Sequence, residues 1–134
     1  MQVYKKILIT MDCSPVDDAI VEHVAALARQ NDARVFLLHV VHSHTLDQDR
    51  TLRQQAETAL KAHLESLLQQ GIDASIVLRS GEPETEILAE IEGNDYDLVA
   101  MALHGHTFMA DFLLGSVSRS LKHSIRVPLL LLRG

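Results

Sequence analysis

Five short runs of apolar residues, at 4–11, 34–41, 73–78, 97–103 and 127–132, set the strongest limit on what this chain can fold into. Their cores read KILIT, VFLLHVV, LVAMAL and PLLLL, continuous rather than alternating with polar residues. Strands of that kind need cover on both faces, which a sheet obtains from helices packed above and below it. Longer amphipathic segments separate the runs. Strand and helix therefore alternate, which predicts right-handed crossovers and a parallel sheet.

The helices announce themselves by spacing and punctuation. The first opens at Ser14-Pro15-Val16-Asp17, where a Ser cap, a Pro in the first turn and an acid three residues on suit free amides. Its apolar face is Val16, Ile20, Val24 and Leu27. A second, at 49–70, repeats Leu52, Ala56, Leu60, Leu64 and Leu67 and stops at Gly71, a suitable left-handed cap. That stripe reads as core, because two or three heptads beside a sheet more often dock on it than form a coiled coil. The third starts around Pro83, buries Ile87, Leu88 and Ile91, and ends near Gly93, and a fourth starts at Ser116.

No linker, low-complexity tract or internal repeat divides the 134 residues, so residues 1–134 are expected to form a single domain. A net charge of −6 disfavours a general binder of nucleic acid, whose affinity comes from Lys and Arg on phosphates. The lone cysteine, Cys13, has no internal partner, and MQVYKKILIT carries no apolar leader of the usual length. Both features point to the cytoplasm. No apolar run approaches the ~20 residues that span a bilayer, so no membrane partner is expected.

One irregular stretch, 105–114, follows the fourth strand, and loops at the carboxyl ends of parallel strands are where such sheets bind ligands. Gly105 permits a sharp turn with exposed amides, Gly115 permits close approach, and Ser116 adds a hydroxyl at the positive end of a helix. A phosphate could sit there without a basic side chain. The same glycines could equally serve the turns of the loop itself, and the Gly-Lys-Ser/Thr run of a P-loop is absent.

The stretch Ala102-x2-Gly105-x9-Gly115-Ser116 resembles the Gly-x2-Gly-x9-Gly-Ser/Thr motif of ATP-binding universal stress proteins, departing only at its first glycine. The opening Lys6-Ile7-Leu8-Ile9-Thr10-Met11-Asp12-Cys13-Ser14 resembles that family's first strand and Asp-x-Ser turn. Leu37-Leu38-His39-Val40 resembles its second strand and Val127-Pro128-Leu129-Leu130-Leu131 its last, so the likeness runs in order over the whole chain. It implies a flavodoxin-like, Rossmann-type three-layer α/β fold with a five-stranded parallel sheet ordered 3-2-1-4-5. It also implies adenine and ribose contacts at Thr10, Asp12, Val40 and Met101, and phosphate contacts at Ala102, Gly105, Gly115, Ser116, Val117 and Ser118. The implied ligand is ATP with or without magnesium, and the implied partner is a second copy paired through the last strand.

Bland alternatives attend these residues. Asp12 is also a common turn residue before a helix, Val40 would act through its backbone, Met101 suits a core strand, and Thr10 stands where nucleotide-binding relatives often have proline. His39, His42 and His44 follow the second strand and His104 and His106 flank Gly105, so both groups should share one sheet edge. No Cys or fixed carboxylate completes a metal set with them, and a role of His104 or His106 near phosphate suits them better. Cys13 reads as an inert thiol.

No nucleophile beside a base and no pair of acids stands out, so the residues favour binding over turnover. The expected function is a homodimeric ATP-binding stress or regulatory module with little or slow hydrolysis. The alternatives are a hydrolase that orients water with Asp12 or His104, and an interaction protein of the same fold that binds no nucleotide, a reading that rests on Ala102.

Overall fold

A computed structural model describes residues 3–103 and 126–133. The elements are β1 (Lys6–Thr10), α1 (Asp17–Asn31), β2 (Arg34–Val41), α2 (Leu46–Gln69), β3 (Ala74–Ser80), α3 (Pro83–Glu92), β4 (Leu98–Leu103) and β5 (Leu129–Arg133). The five strands form one parallel sheet in the order β3-β2-β1-β4-β5. This is the doubly wound order expected from the resemblance. The fourth helix, expected from Ser116, lies outside the described residues.

Alternation along the strands explains why the apolar runs are continuous. Ile7 and Ile9 face α1 and α2 while Leu8 faces α3, and all three are wholly buried. Burial of one such side chain is worth about 1.5–3 kcal/mol. The α1 and α2 layer adds Ile20, Val24, Leu60 and Leu67 to Val35, Leu37 and Ala100. On the opposite face Ile87 and Ile91 of α3 pack with Leu38, Val99 and Met101. Among the described residues, no helix is long and apolar enough to cross a membrane.

The ends of the elements depart from expectation in ways that matter for the site. α1 starts at Asp17, not at a Ser14 cap; Val16 occupies the cap position without a side-chain bond. Residues 14–16 instead make a turn in which the Ser14 and Pro15 carbonyls accept the amides of Asp17 and Asp18 at 3.0 and 3.3 Å. The Asp17 side chain is thereby left for the loop before it. α2 begins earlier than its apolar stripe suggests, because Thr45 caps it by accepting the Gln48 amide at 3.1 Å. Leu52 lies near that added start and is 38 % exposed, so the buried part of the stripe runs from Ala56 to Leu67. β3 continues past its apolar residues because Arg79 and Ser80 still pair with Val40 and Val41. Gly71, at φ 79°, takes the left-handed conformation expected after α2.

Candidate functional site

In this strand order the chain reverses its direction of travel between β1 and β4, and the carboxyl ends there form the crevice where open α/β sheets take ligands. Five of the residues implicated by sequence come together at or beside that edge. Thr10 is the last paired residue of β1, with Leu38 on one side and Met101 on the other. Asp12 follows in the exposed loop, and Val40 lies two residues beyond Leu38 on the neighbouring strand. Met101 is 1 % exposed in the α3-side core, so it forms the floor of the crevice rather than its wall. Gly105, Gly115, Ser116, Val117 and Ser118 lie outside the described residues, as do His104 and His106.

Ala102 is an interior residue of β4, paired with Leu132 of β5. Positive φ among described residues other than glycine occurs only at Cys13 and Asp32, so Ala102 has ordinary strand geometry. Its methyl is buried in the α1-side core. A glycine is therefore not required there for its backbone angles.

The β1–α1 loop is held by side chains from three directions. The Met11 carbonyl lies 2.7 Å from His39 Nδ1, while the Met11 amide donates to the Leu38 carbonyl at 2.8 Å. Asp12 accepts the Ser14 amide at 3.1 Å. Asp17, only 2 % exposed, accepts the Cys13 amide at 2.8 Å and the Asp12 amide at 3.4 Å. Cys13 between them sits at φ 64°, a conformation costly for a residue with a Cβ.

These contacts set the electrostatics. Burial, with the Asp12 carboxylate second, raises the Asp17 carboxyl to about 7 against the two amide hydrogen bonds that favour its charge. Desolvation of the sulfur, followed by the charges of Asp17 and Asp12, raises the Cys13 thiol to about 12. A thiol so protonated is a poor nucleophile, in keeping with its reading as inert.

The three histidines expected after the second strand diverge, since His39 lies within β2, paired with Leu78 of β3, and only His42 and His44 follow the strand. His39 turns to Met11, and His42 lies 3.4 Å from Glu82 with its ring 5.7 Å from that of His44. Among the described residues no three His, Cys, Asp or Glu side chains are grouped to hold a metal. Asp49, in the first turn of α2, accepts the Ser80 hydroxyl at 3.1 Å and so ties the β2–α2 segment to the end of β3. Two grooves, of about 440 and 460 Å3, lie along α1 and α2 and at the opposite sheet edge, and neither is lined by the residues of the crevice.

Sequence reasoning missed Asp17 as part of the loop and read it as a helix-start acid. It also missed the carboxylate Glu90, which is 6 % exposed and receives Arg79, Asn94 and Tyr96 beneath α3. The available signal was position: Glu90 falls between Ile87 and Ile91 on the buried face of its helix.

Fold and edge together define a doubly wound α/β domain whose crevice, among the described residues, presents the exposed Asp12 carboxylate over the buried Met101. The universal stress protein family model matches residues 3–133, and the chain belongs to that family. It is 28% identical over 142 residues to universal stress protein MJ0531 of Methanocaldococcus jannaschii, covering 98% of this chain and 83% of the relative. The solved structure of the protein MJ0577 superposes with a TM-score of 0.83 at 26% identity, covering 98% of this chain and 97% of that one. A universal stress protein from Archaeoglobus fulgidus, solved in complex with dAMP, has a TM-score of 0.73 at 19% identity over 96% of this chain and 98% of that one.

Proposed function

We propose that residues 1–134 act as one cytoplasmic adenine-nucleotide-binding module, with ATP as ligand, that works as a homodimer and turns nucleotide over slowly or not at all. The observation that carries this reading is the meeting of Thr10, Asp12, Val40, Met101 and Ala102 at the β1/β4 crevice. The exposed Asp12 carboxylate suits ribose hydroxyls, and the main chain at Val40 suits the edge of a base, since β1 pairing has ended by that level. Phosphates would then fall on the segment from Gly105 to Ser118, whose sequence offers two glycines and the helix start expected at Ser116 as sources of amides in place of cations. The adenine nucleotide held by the Archaeoglobus fulgidus relative supports the same ligand class here.

Homodimer formation draws support from β5, which lies at the edge of the sheet with Leu131 37 % exposed. A bare apolar edge invites pairing, and a second copy related by a two-fold axis covers it. The competing reading, an interaction protein without nucleotide, rests on Ala102. It is disfavoured because the methyl is accommodated in the core of an extended strand.

The test is to denature the purified protein and assay the released supernatant for adenine nucleotides, then titrate emptied protein with ATP by calorimetry. Binding that weakens at least about tenfold, or 1.4 kcal/mol, in Gly115→Val is expected. Unchanged affinity in that variant would remove the phosphates from this segment, and no binding by the wild type would leave the interaction protein as the function.

A further inference from the structure

The two sides of β2 end at different levels. Thr10 and Leu38 form the last pair between β1 and β2, whereas β2 stays paired with β3 through Val41 and Ser80. The Gly81 amide extends that second side by donating to the Val41 carbonyl at 3.0 Å. Val40 therefore still has strand conformation at a level where β1 has stopped pairing with it.

Main-chain groups of a parallel strand serve its two neighbours at alternate residues. Leu38 serves β1, since its carbonyl accepts the Met11 amide at 2.8 Å, and Val41 serves β3. Val40 thus directs its amide and carbonyl toward β1, at the crevice. One more rung in this register would set Val40 opposite Asp12, with its amide on the Met11 carbonyl and its carbonyl on the Cys13 amide. Side chains hold both of those β1 groups instead. His39 Nδ1 lies 2.7 Å from the Met11 carbonyl oxygen, and Asp17 accepts the Cys13 amide at 2.8 Å. A carbonyl oxygen only accepts, so His39 Nδ1 carries the hydrogen.

We propose that His39 and Asp17 are positioning residues that hold this rung open, so that the Val40 amide and carbonyl remain for a ligand whose planar edge carries an acceptor beside a donor. The inference rests on the nucleotide reading of the crevice, and adenine has such an edge. His39 acts from β2 itself, one residue before Val40, and Asp17 acts from the first residue of α1. The left-handed turn at Cys13, φ 64°, belongs to the same arrangement, because its amide reaches Asp17 rather than crossing to β2. An open rung leaves one main-chain donor and one acceptor to be satisfied from outside the two strands, and the edge of a base supplies both partners.

The first measurements need no nucleotide. In the wild type, NMR should show hydrogen on Nδ1 of neutral His39 and a coupling across the hydrogen bond from the Cys13 amide to the Asp17 carboxyl carbon. Hydrogen exchange of the Val40 amide should slow by at least about tenfold in His39→Leu, where the Met11 carbonyl becomes open to it. It should stay near the wild-type rate in His39→Asn, whose side-chain amide occupies the Nδ1 position. ATP calorimetry should then show affinity reduced about tenfold in His39→Leu and kept within about threefold in His39→Asn. If His39→Leu folds poorly, His39→Gln serves instead, since its amide nitrogen lies one bond beyond the Nδ1 position.

Neutral His39 with its hydrogen on Nε2, or a Val40 amide whose exchange is the same in His39→Leu, overturns the role of His39. A Cys13 amide coupled to the Val40 carbonyl in the wild type overturns that of Asp17. A wild type that binds ATP no better than His39→Leu does overturns the reservation of Val40 for a ligand while leaving the nucleotide reading in place. A wild type that binds no ATP, with the NMR results as expected, overturns the nucleotide reading and that reservation together, and the open rung itself stands demonstrated.

Discussion

The Tyr96 hydroxyl donates to the Glu90 carboxylate at 2.6 Å, joining the segment before β4 to the buried face of α3. Asn94 Nδ2 and Arg79 Nη1 reach the same carboxylate at 2.9 Å, and the Tyr96 ring meets Phe36 edge-on at 5.5 Å. Burial and the Glu90 bond raise the Tyr96 phenol, which stays a donor across the physiological range. α3 is thus fixed to the sheet by a charge satisfied from three directions as well as by Ile87 and Ile91. Tyr96→Phe should cost about 1.5–3 kcal/mol, the range for a hydrogen bond to a charged partner, and Glu90→Ala should cost more because it removes the acceptor of Tyr96, Asn94 and Arg79 Nη1 together, although Arg79 Nε keeps Glu86 at 3.0 Å. Urea denaturation of both variants checks this, and a Tyr96→Phe variant as stable as wild type would make the bond irrelevant to the fold.

Asp17 predicts how stability depends on pH. Its carboxyl is raised by burial and by Asp12 from the ordinary 3.8 to about 7, so between those values the folded protein holds a proton that the unfolded chain has released. Stability therefore falls as pH rises through that window and levels off above it. Asp17→Asn has nothing to titrate there, so its stability relative to wild type should climb with pH across the window and be flat beyond. Chemical denaturation of both proteins from about pH 4 to 9 measures the difference, and a difference independent of pH would refute the raised value.

At the edge strand, neighbouring residues have different neighbours. Leu130 packs against the α1-side core while Leu131 is 37 % exposed. Leu131→Glu is therefore the cleaner probe of a dimer, because a charge at Leu130 would disturb the core as well. Light scattering should show a dimer at micromolar concentration that shifts toward monomer in Leu131→Glu with an unchanged circular dichroism spectrum. A wild-type protein found only as monomer counts against pairing through β5.

Ala102 offers a two-sided test of the crevice. Its strand geometry means that Ala102→Gly gains no needed backbone freedom, so ATP affinity should tighten by no more than about threefold. Ala102→Val must fit two more carbons into a packed core, which typically costs about 1–3 kcal/mol and should narrow the crevice floor enough to weaken ATP substantially. Calorimetry with ATP and thermal denaturation report the two effects separately. Binding that appears only in Ala102→Gly would make the wild-type chain an interaction protein.

The residues that could be read from the chain alone were those whose surroundings follow from local periodicity. Continuous runs such as KILIT and VFLLHVV demanded strands covered on both faces, and Ile20, Val24, Leu60, Ile87 and Ile91 fell at helical spacing on faces that had to meet them. The collinear likeness to a family supplied the strand order, which periodicity cannot, because nothing in a strand’s own residues says which strand it will lie beside. Tertiary structure decided what each polar side chain would do. Asp17 looks the same in sequence whether it caps a helix or reaches back to the Cys13 amide, since the difference lies in whether the backbone before it turns at Ser14 or enters the helix there. Glu90 likewise reads as one more acid in an acidic segment until Arg79 and Tyr96, brought from a strand and a loop, make its burial affordable. A buried charge is stabilised by partners distant in sequence, and only the folded chain brings those partners together.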